Sequence, residues 1–152
     1  MRRTAVLVAA TALGCAAGTV AVAAPAHAAA WTDVPSAALK YNGTLDRVDF
    51  GAKNAGWAVG AAGNIFGPQA KIMRWNGSSW VADTSPASFT PTDVAVADAN
   101  NAWIIGYSLF GTTSLHWNGT KWNQVPYPLV GFPTAVSAAP DGTAYSIAGR
   151  SE

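Results

Sequence analysis

The sequence predicts an all-β fold of propeller type, assembled from four-stranded antiparallel blades, on three observations. Trp75-Asn76-Gly77-Ser78-Ser79-Trp80 returns as Trp117-Asn118-Gly119-Thr120-Lys121-Trp122, and the flanking segments keep the same offset of about 42 residues, the length of one blade. Short runs alternate apolar and polar residues with period two, as strands that bury one face do. Asn-Gly and Asp-Gly pairs fall between those runs and supply the positive φ that tight hairpins require.

In chain order, residues 1–28 read as a cleaved export leader. Met1-Arg2-Arg3 is basic, Thr4 to Ala24 is apolar and alanine-rich, and Ala26-His27-Ala28 offers small residues at the positions a signal peptidase reads. Secretion follows, with no membrane anchor after cleavage. Arg2-Arg3 lacks the Phe-Leu of a full twin-arginine signal, and Cys15 has Ala12 rather than Leu three residues before it, so ordinary secretion is the expectation. Cys15 is the one cysteine of the sequence and leaves with the leader, so residues 29–152 form a partial propeller domain held by packing, without disulfides.

The first strand of each unit is Arg47-Val48-Asp49-Phe50, then Asp93-Val94-Ala95-Val96, then Ala135-Val136-Ser137-Ala138. Turn clusters follow at Lys53-Asn54-Ala55-Gly56, Ala99-Asn100-Asn101-Ala102 and Asp141-Gly142-Thr143-Ala144, where Asn, Asp and Gly suit a hairpin tip. Second strands open on an aromatic residue: Trp57, Trp103 and Tyr145. Third strands end Met73-Arg74-Trp75 and Leu115-His116-Trp117, and fourth strands start at Trp80 and Trp122. Trp57 to Trp103 is four residues longer than Trp80 to Trp122, and the excess is expected in a loop over Ala61 to Ala70.

Two complete blades are thus predicted, over 46–86 and 92–128, with half a blade over 134–151 and a lone fourth strand over 31–35, where Trp31-Thr32-Asp33-Val34-Pro35 aligns with Trp122 to Pro126. Closed propellers use typically four to eight blades. The expectation is therefore either a homo-oligomer, if the chain is complete, or the front part of a longer propeller; the missing interior third strand favours the latter.

Chemistry is sparse. The lone Glu of the sequence is Glu152, so no pair of glutamates can flank a glycosidic bond, and His116 is the lone histidine after the leader, which rules out a multi-histidine metal site. No Gly-x-Ser-x-Gly elbow stages a serine nucleophile. The residues point to no enzyme, no cofactor and no metal. Asp98-Ala99-Asn100-Asn101 and Asp141-Gly142-Thr143 read as turns rather than ion sites. Past the leader, seven Lys and Arg stand against eight Asp and Glu, with no basic patch for nucleic acid.

The segments Trp31 to Pro35, Arg74-Trp75-Asn76-Gly77-Ser78-Ser79-Trp80 and Ala138-Ala139-Pro140-Asp141-Gly142-Thr143-Ala144-Tyr145 resemble the repeats of tectonin-type and kelch-like secreted β-propellers. The leader is similar to those of exported proteins from GC-rich actinobacteria. The resemblance implies a secreted, non-catalytic, lectin-like binding module whose ligand is a glycan or an extracellular protein, the glycan being placed first. The implied ligand-binding residues are Trp80 and Trp122 beside the Asn-Gly tips, with Arg74 and His116 at equivalent third-strand positions. The alternative is the N-terminal fragment of a longer propeller, one that could belong to a glycan-acting enzyme, with no independent activity. Arg74 becomes His116 in the next repeat, so the family's repeated Arg/Glu sugar-holding pair is absent.

Overall fold

Period-two alternation produces strands because successive side chains leave the backbone on opposite faces, and in this chain both faces of the middle sheet are covered. The computed structural model describes residues 43–128 and 131–149; the predicted leader over 1–28 and the predicted strand over 31–35 lie outside them. Ten strands are described: β1 (Arg47–Ala52), β2 (Ala55–Asn64), β3 (Gly67–Trp75), β4 (Trp80–Asp83), β5 (Thr90–Asp98), β6 (Asn101–Ser108), β7 (Gly111–Trp117), β8 (Trp122–Val125), β9 (Phe132–Ala138) and β10 (Ala144–Gly149). They form two four-stranded sheets, β1-β2-β3-β4 and β5-β6-β7-β8, and a two-stranded β9-β10 sheet, every described pairing being antiparallel.

The sheets are repeats of one another down to single hydrogen bonds. The Trp75 indole donates to the Lys53 carbonyl at 3.2 Å, and the Trp117 indole donates to the equivalent Ala99 carbonyl at 3.1 Å, so each third strand is tied to the first turn of its own blade. The Asn-Gly tips match too: Asn76 Oδ1 accepts the amides of Ser78 and Ser79, Asn118 Oδ1 accepts those of Thr120 and Lys121, and Gly77 and Gly119 follow with φ of 98° and 92°. In the third unit Asp141 Oδ1 accepts the Thr143 amide at 2.9 Å, and this bond holds the Asp141 carboxyl below its ordinary range. Asp98 Oδ1 accepts the Asn100 amide at 2.7 Å, so both acidic tips serve their own backbone.

The core lies between the first two sheets. Trp57, Val59 and Ile72 of the first meet Val94, Val96, Ile104, Leu115, Trp117 and Trp122 of the second, with Phe89 buried beneath. Trp57 is at the centre, its ring 4.8 Å from that of Trp117 and 4.7 Å from that of Trp122, tilted or edge-on as aromatic quadrupoles prefer. Residues 57, 103 and 145 share one repeat position and 59, 105 and 147 another, both on the strand face that in the first blade meets the second sheet. Trp57 accordingly has the second sheet over it, while Tyr145 and Ile147 are exposed. On the opposite side of the first sheet, Val48 and Phe50 are exposed, and Phe50 packs edge-on to Trp75 and Trp80.

One expectation is corrected. Ala61 to Ala70 is not a loop: β2 and β3 stay paired from Gly56↔Trp75 to Asn64↔Gly67, leaving a two-residue turn at Ile65-Phe66. In the second blade the pairing ends at Ser108↔Gly111, around a turn at Leu109-Phe110. The four extra residues therefore divide equally between two strands, which preserves side-chain parity and lengthens the hairpin without disturbing its register.

Candidate functional site

The lengthened β2–β3 hairpin and its shorter partner β6–β7 project from the same side of the fan. Their tips are equivalent: Asn64-Ile65-Phe66-Gly67 and Ser108-Leu109-Phe110-Gly111. Each is shaped by a polar side chain at its first position. Asn64 Oδ1 accepts the Phe66 and Gly67 amides at 2.9 and 3.2 Å, and Ser108 Oγ accepts the Phe110 amide at 3.2 Å. With the turn chemistry satisfied locally, the apolar side chains are free to point outward. Phe66 is 83% exposed and Phe110 fully exposed, with Ile65 and Leu109 also open to solvent.

Between the tips runs a groove of about 680 Å3. Its walls come from Ala61, Ala62, Ile65 and Pro68 of the first blade, Tyr107 and Leu109 of the second, and Phe132 at the start of β9. No charged residue lines it. Tyr107 and Phe132 meet edge to face at 5.8 Å and form its floor toward the third sheet. Next to it, a second recess of about 770 Å3 shares Thr90, Tyr107 and Phe132 and adds Asp46 and Arg47 at the mouth of the inner strands. The groove is therefore uncharged but mixed, with Thr44, Asn64, Thr90, Tyr107 and Ser108 among its apolar lining residues, and one acidic and one basic group lie in the adjoining recess.

The residues singled out from sequence sit elsewhere and do not converge. Trp122 is only 5% exposed and packed on Trp57 and Trp117, so its faces are taken up by protein. Trp80 is half-buried against Phe50 and Trp75. Arg74 is partly exposed, 4.0 Å from Asp83, with its guanidinium 5.8 Å above the Trp117 ring, where it caps the seam between the two blades. His116 stacks on Trp103 at 4.3 Å with Nε2 2.8 Å from Asn101 Oδ1, and burial pushes its imidazole below the ordinary value. Arg74 and His116 thus have the same repeat position and different jobs, Arg74 over Trp117 in the seam between the first two blades and His116 against Trp103 on the other face of the second. Among the described residues, no cluster of three His, Cys, Asp or Glu side chains is placed to hold a metal.

The tip residues escaped sequence reasoning because the four-residue excess was assigned to a loop. Splitting that excess evenly about the turn aligns Ile65-Phe66-Gly67 with Leu109-Phe110-Gly111, and this repeated apolar dipeptide before Gly was the available signal. Two adjacent apolar residues at a turn tip are unusual enough to ask for a partner.

The fold is that of a β-propeller-type repeat protein, with blades arranged as an open fan. Among solved structures, the chain is similar to YCF48 bound to D1 peptide, with a TM-score of 0.57 and 23% sequence identity, over 76% of this chain and 40% of that one. The chain thus spans less than half the length of that propeller. No protein-family profile matches it, and no curated protein does.

Proposed function

We propose that this protein is a secreted, non-catalytic binding module that holds a protein ligand by apolar side chains seated between the hairpin tips. The observation that carries the reading is the exposure of Ile65-Phe66 and Leu109-Phe110 at equivalent hairpin tips, with Ile65 and Leu109 lining the uncharged groove and Phe66 and Phe110 standing open beyond it. The leader-like residues 1–28 support the secreted setting. A peptide is favoured over a glycan because Trp117 and Trp122, the rings a sugar would stack on, are buried in the seam, while the side chains most open beside the groove, Ile65-Phe66 and Leu109-Phe110, are apolar. The propeller it is similar to was solved with a peptide bound, which agrees with a protein ligand.

The test is selection of a random peptide library, displayed on phage, against the immobilised full chain. Selected peptides should be rich in apolar residues and should lose at least about tenfold in affinity to a Phe66→Ser/Phe110→Ser double variant. The tips are solvent-exposed, so this variant should keep its fold. Retention of sugars on a glycan array, with peptide selection yielding nothing sensitive to the double variant, would reverse the order of ligands.

A second reading is favoured by the exposed apolar residues Val48, Phe50, Tyr145 and Ile147: the groove works within a larger ring whose further blades cover those faces, in a homo-oligomer or in a longer propeller of the glycan-acting kind. Light scattering of the purified protein separates the cases. A defined oligomer supports ring formation between copies, and a monodisperse monomer removes it.

A further inference from the structure

A bound peptide must satisfy its own backbone groups, and the groove between the hairpin tips narrows how it can do so. Along one wall, β2 is paired to β3 as far as Asn64↔Gly67, and on its other edge the Thr44 and Asp46 amides donate to the Ala61 and Val59 carbonyls, leaving only Ala62 to Asn64 beyond them. On the other wall, β6 is paired to β5 as far as Thr90↔Tyr107 and to β7 as far as Ser108↔Gly111. Neither wall offers an edge long enough for a ligand strand to join. A helix would bring its own hydrogen bonds but docks its apolar face in a hydrophobic groove, whereas hydroxyl and amide groups are mixed into this one. We infer, on the reading of the groove as a peptide site, that its ligand is a proline-rich segment in the polyproline II conformation, with prolines three residues apart seated on either side of the Tyr107–Phe132 pair.

The aromatic pair has the form such a segment needs. The two rings meet edge to face, with centroids 5.8 Å apart and planes at 88°, and both line the groove as well as the adjoining recess that holds Asp46 and Arg47. Polyproline II completes a turn in three residues, so prolines at that spacing stand on one side of the segment. One can enter each hollow with the aromatic pair between them. Pro91 and Pro133 give the second hollow rigid apolar walls. Proline-rich segments dock in aromatic-lined grooves of this kind with little loss of chain entropy, because their conformation is already formed.

The hydrogen-bond chemistry agrees. A proline-rich segment has few N–H groups, and polyproline II makes no internal bonds, so its carbonyls seek donors. Asn64 Oδ1 is engaged by the Phe66 and Gly67 amides, which leaves the side-chain N–H groups of Asn64 to donate. Tyr107 and Thr90 add hydroxyls to the same lining. Thr44 and Ser108 spend their hydroxyl hydrogens within the protein, on Asp46 Oδ2 and the Gly111 carbonyl. In the adjoining recess, Arg47 gives one N–H to the Asp46 carbonyl and keeps further donors on its guanidinium.

The experiment titrates the full chain into fluorescein-labelled decaproline, with a labelled glycine-serine peptide of equal length as control, and follows anisotropy. The expected result is saturable binding of decaproline alone, weakened at least about tenfold by Phe132→Ser, a change at a side chain 56% exposed that should leave the fold intact. Tyr107→Phe keeps the ring and removes the donor, and should weaken binding at least about twofold. No binding of decaproline at concentrations up to about millimolar, or binding indifferent to Phe132→Ser, would overturn the assignment. The phage selection separates this failure from failure of the peptide site itself. Selected peptides that depend on Phe66 and Phe110 but carry no proline pattern and ignore Phe132→Ser keep the site and remove its proline ligand; a selection that yields nothing, with decaproline unbound, removes both.

Discussion

The Asp49 carboxylate on β1 accepts the amide of Val96 on β5, 2.7 Å away, and Asp93 on β5 does the same for Val136 on β9 at 2.9 Å. The inner strands β1, β5 and β9 are not paired with one another. At the crowded centre of the fan, a carboxylate from one sheet therefore satisfies a backbone donor of the next, which would otherwise be buried without a partner. Bonds from a neutral donor to a charged acceptor exceed the ordinary contribution of a neutral pair.

Removing that bridge should loosen the two sheets from each other. Asp49→Ala is expected to cost about 1–3 kcal/mol, because it removes a charge-assisted bond and leaves the Val96 amide unmet. Asp49→Asn keeps an acceptor and should lose less. Urea unfolding of the three proteins measures this; equal midpoints would show that water serves the Val96 amide as well as Asp49 does.

Burial pushes the His116 imidazole below its ordinary value of 6.5, so the folded protein binds the proton less readily than the unfolded chain. The unfolded state then carries more protons as the pH drops, and stability falls with it. The contribution is complete above about pH 6.5 and is lost as pH falls from there through the lower folded value. In the neutral form Nε2–H donates to Asn101 Oδ1. Stability measured between pH 7.5 and 5 should decline modestly in the native protein and less in His116→Gln; parallel curves would assign the decline to other groups.

Trp117 and Trp122 are both buried in the seam, yet their indole nitrogens differ. Trp117 Nε1 donates to the Ala99 carbonyl, whereas Trp122 Nε1 is buried and has no partner among the described residues. Trp117→Phe should therefore lose about 1 kcal/mol more than Trp122→Phe, since both open a similar void and only the first breaks a hydrogen bond. Thermal or urea unfolding checks the order; a larger loss at Trp122 would reveal a water or another acceptor on its indole.

Gly60 and Gly106 have the same repeat position, where the segment entering the blade crosses the second strand closely. A Cβ at Gly106 would stand 2.2 Å from the Thr90 carbonyl oxygen, and one at Gly60 would stand 2.0 Å from that of Thr44. Gly106→Ala should cost about 1–3 kcal/mol through forced backbone displacement. Gly67, whose Cβ would meet nothing, serves as control: Gly67→Ala should be close to neutral in the same unfolding measurement.

Much of the fold was legible in the residues. The Trp-Asn-Gly repeat, the period-two runs and the Asn-Gly tips are local features, and they located eight strands in two sheets and two strands in a third. The tips at Ile65-Phe66 and Leu109-Phe110 were missed because a loop and a longer hairpin differ only in whether their backbones pair. Trp122, named with Trp80 as an implied ligand-binding residue for its place beside a turn, is buried because the preceding sheet, far away in sequence, packs on it.

What the sequence by itself determined is the repeat, the turn positions and which face of each strand is apolar, since these follow from side-chain periodicity and from the backbone angles of Asn and Gly. What only the tertiary structure decided is which aromatic rings remain open. Equivalent residues such as Trp57 and Trp103, or Trp80 and Trp122, differ in burial among the described residues because different side chains pack on them, and burial is a property of neighbours that no local pattern contains.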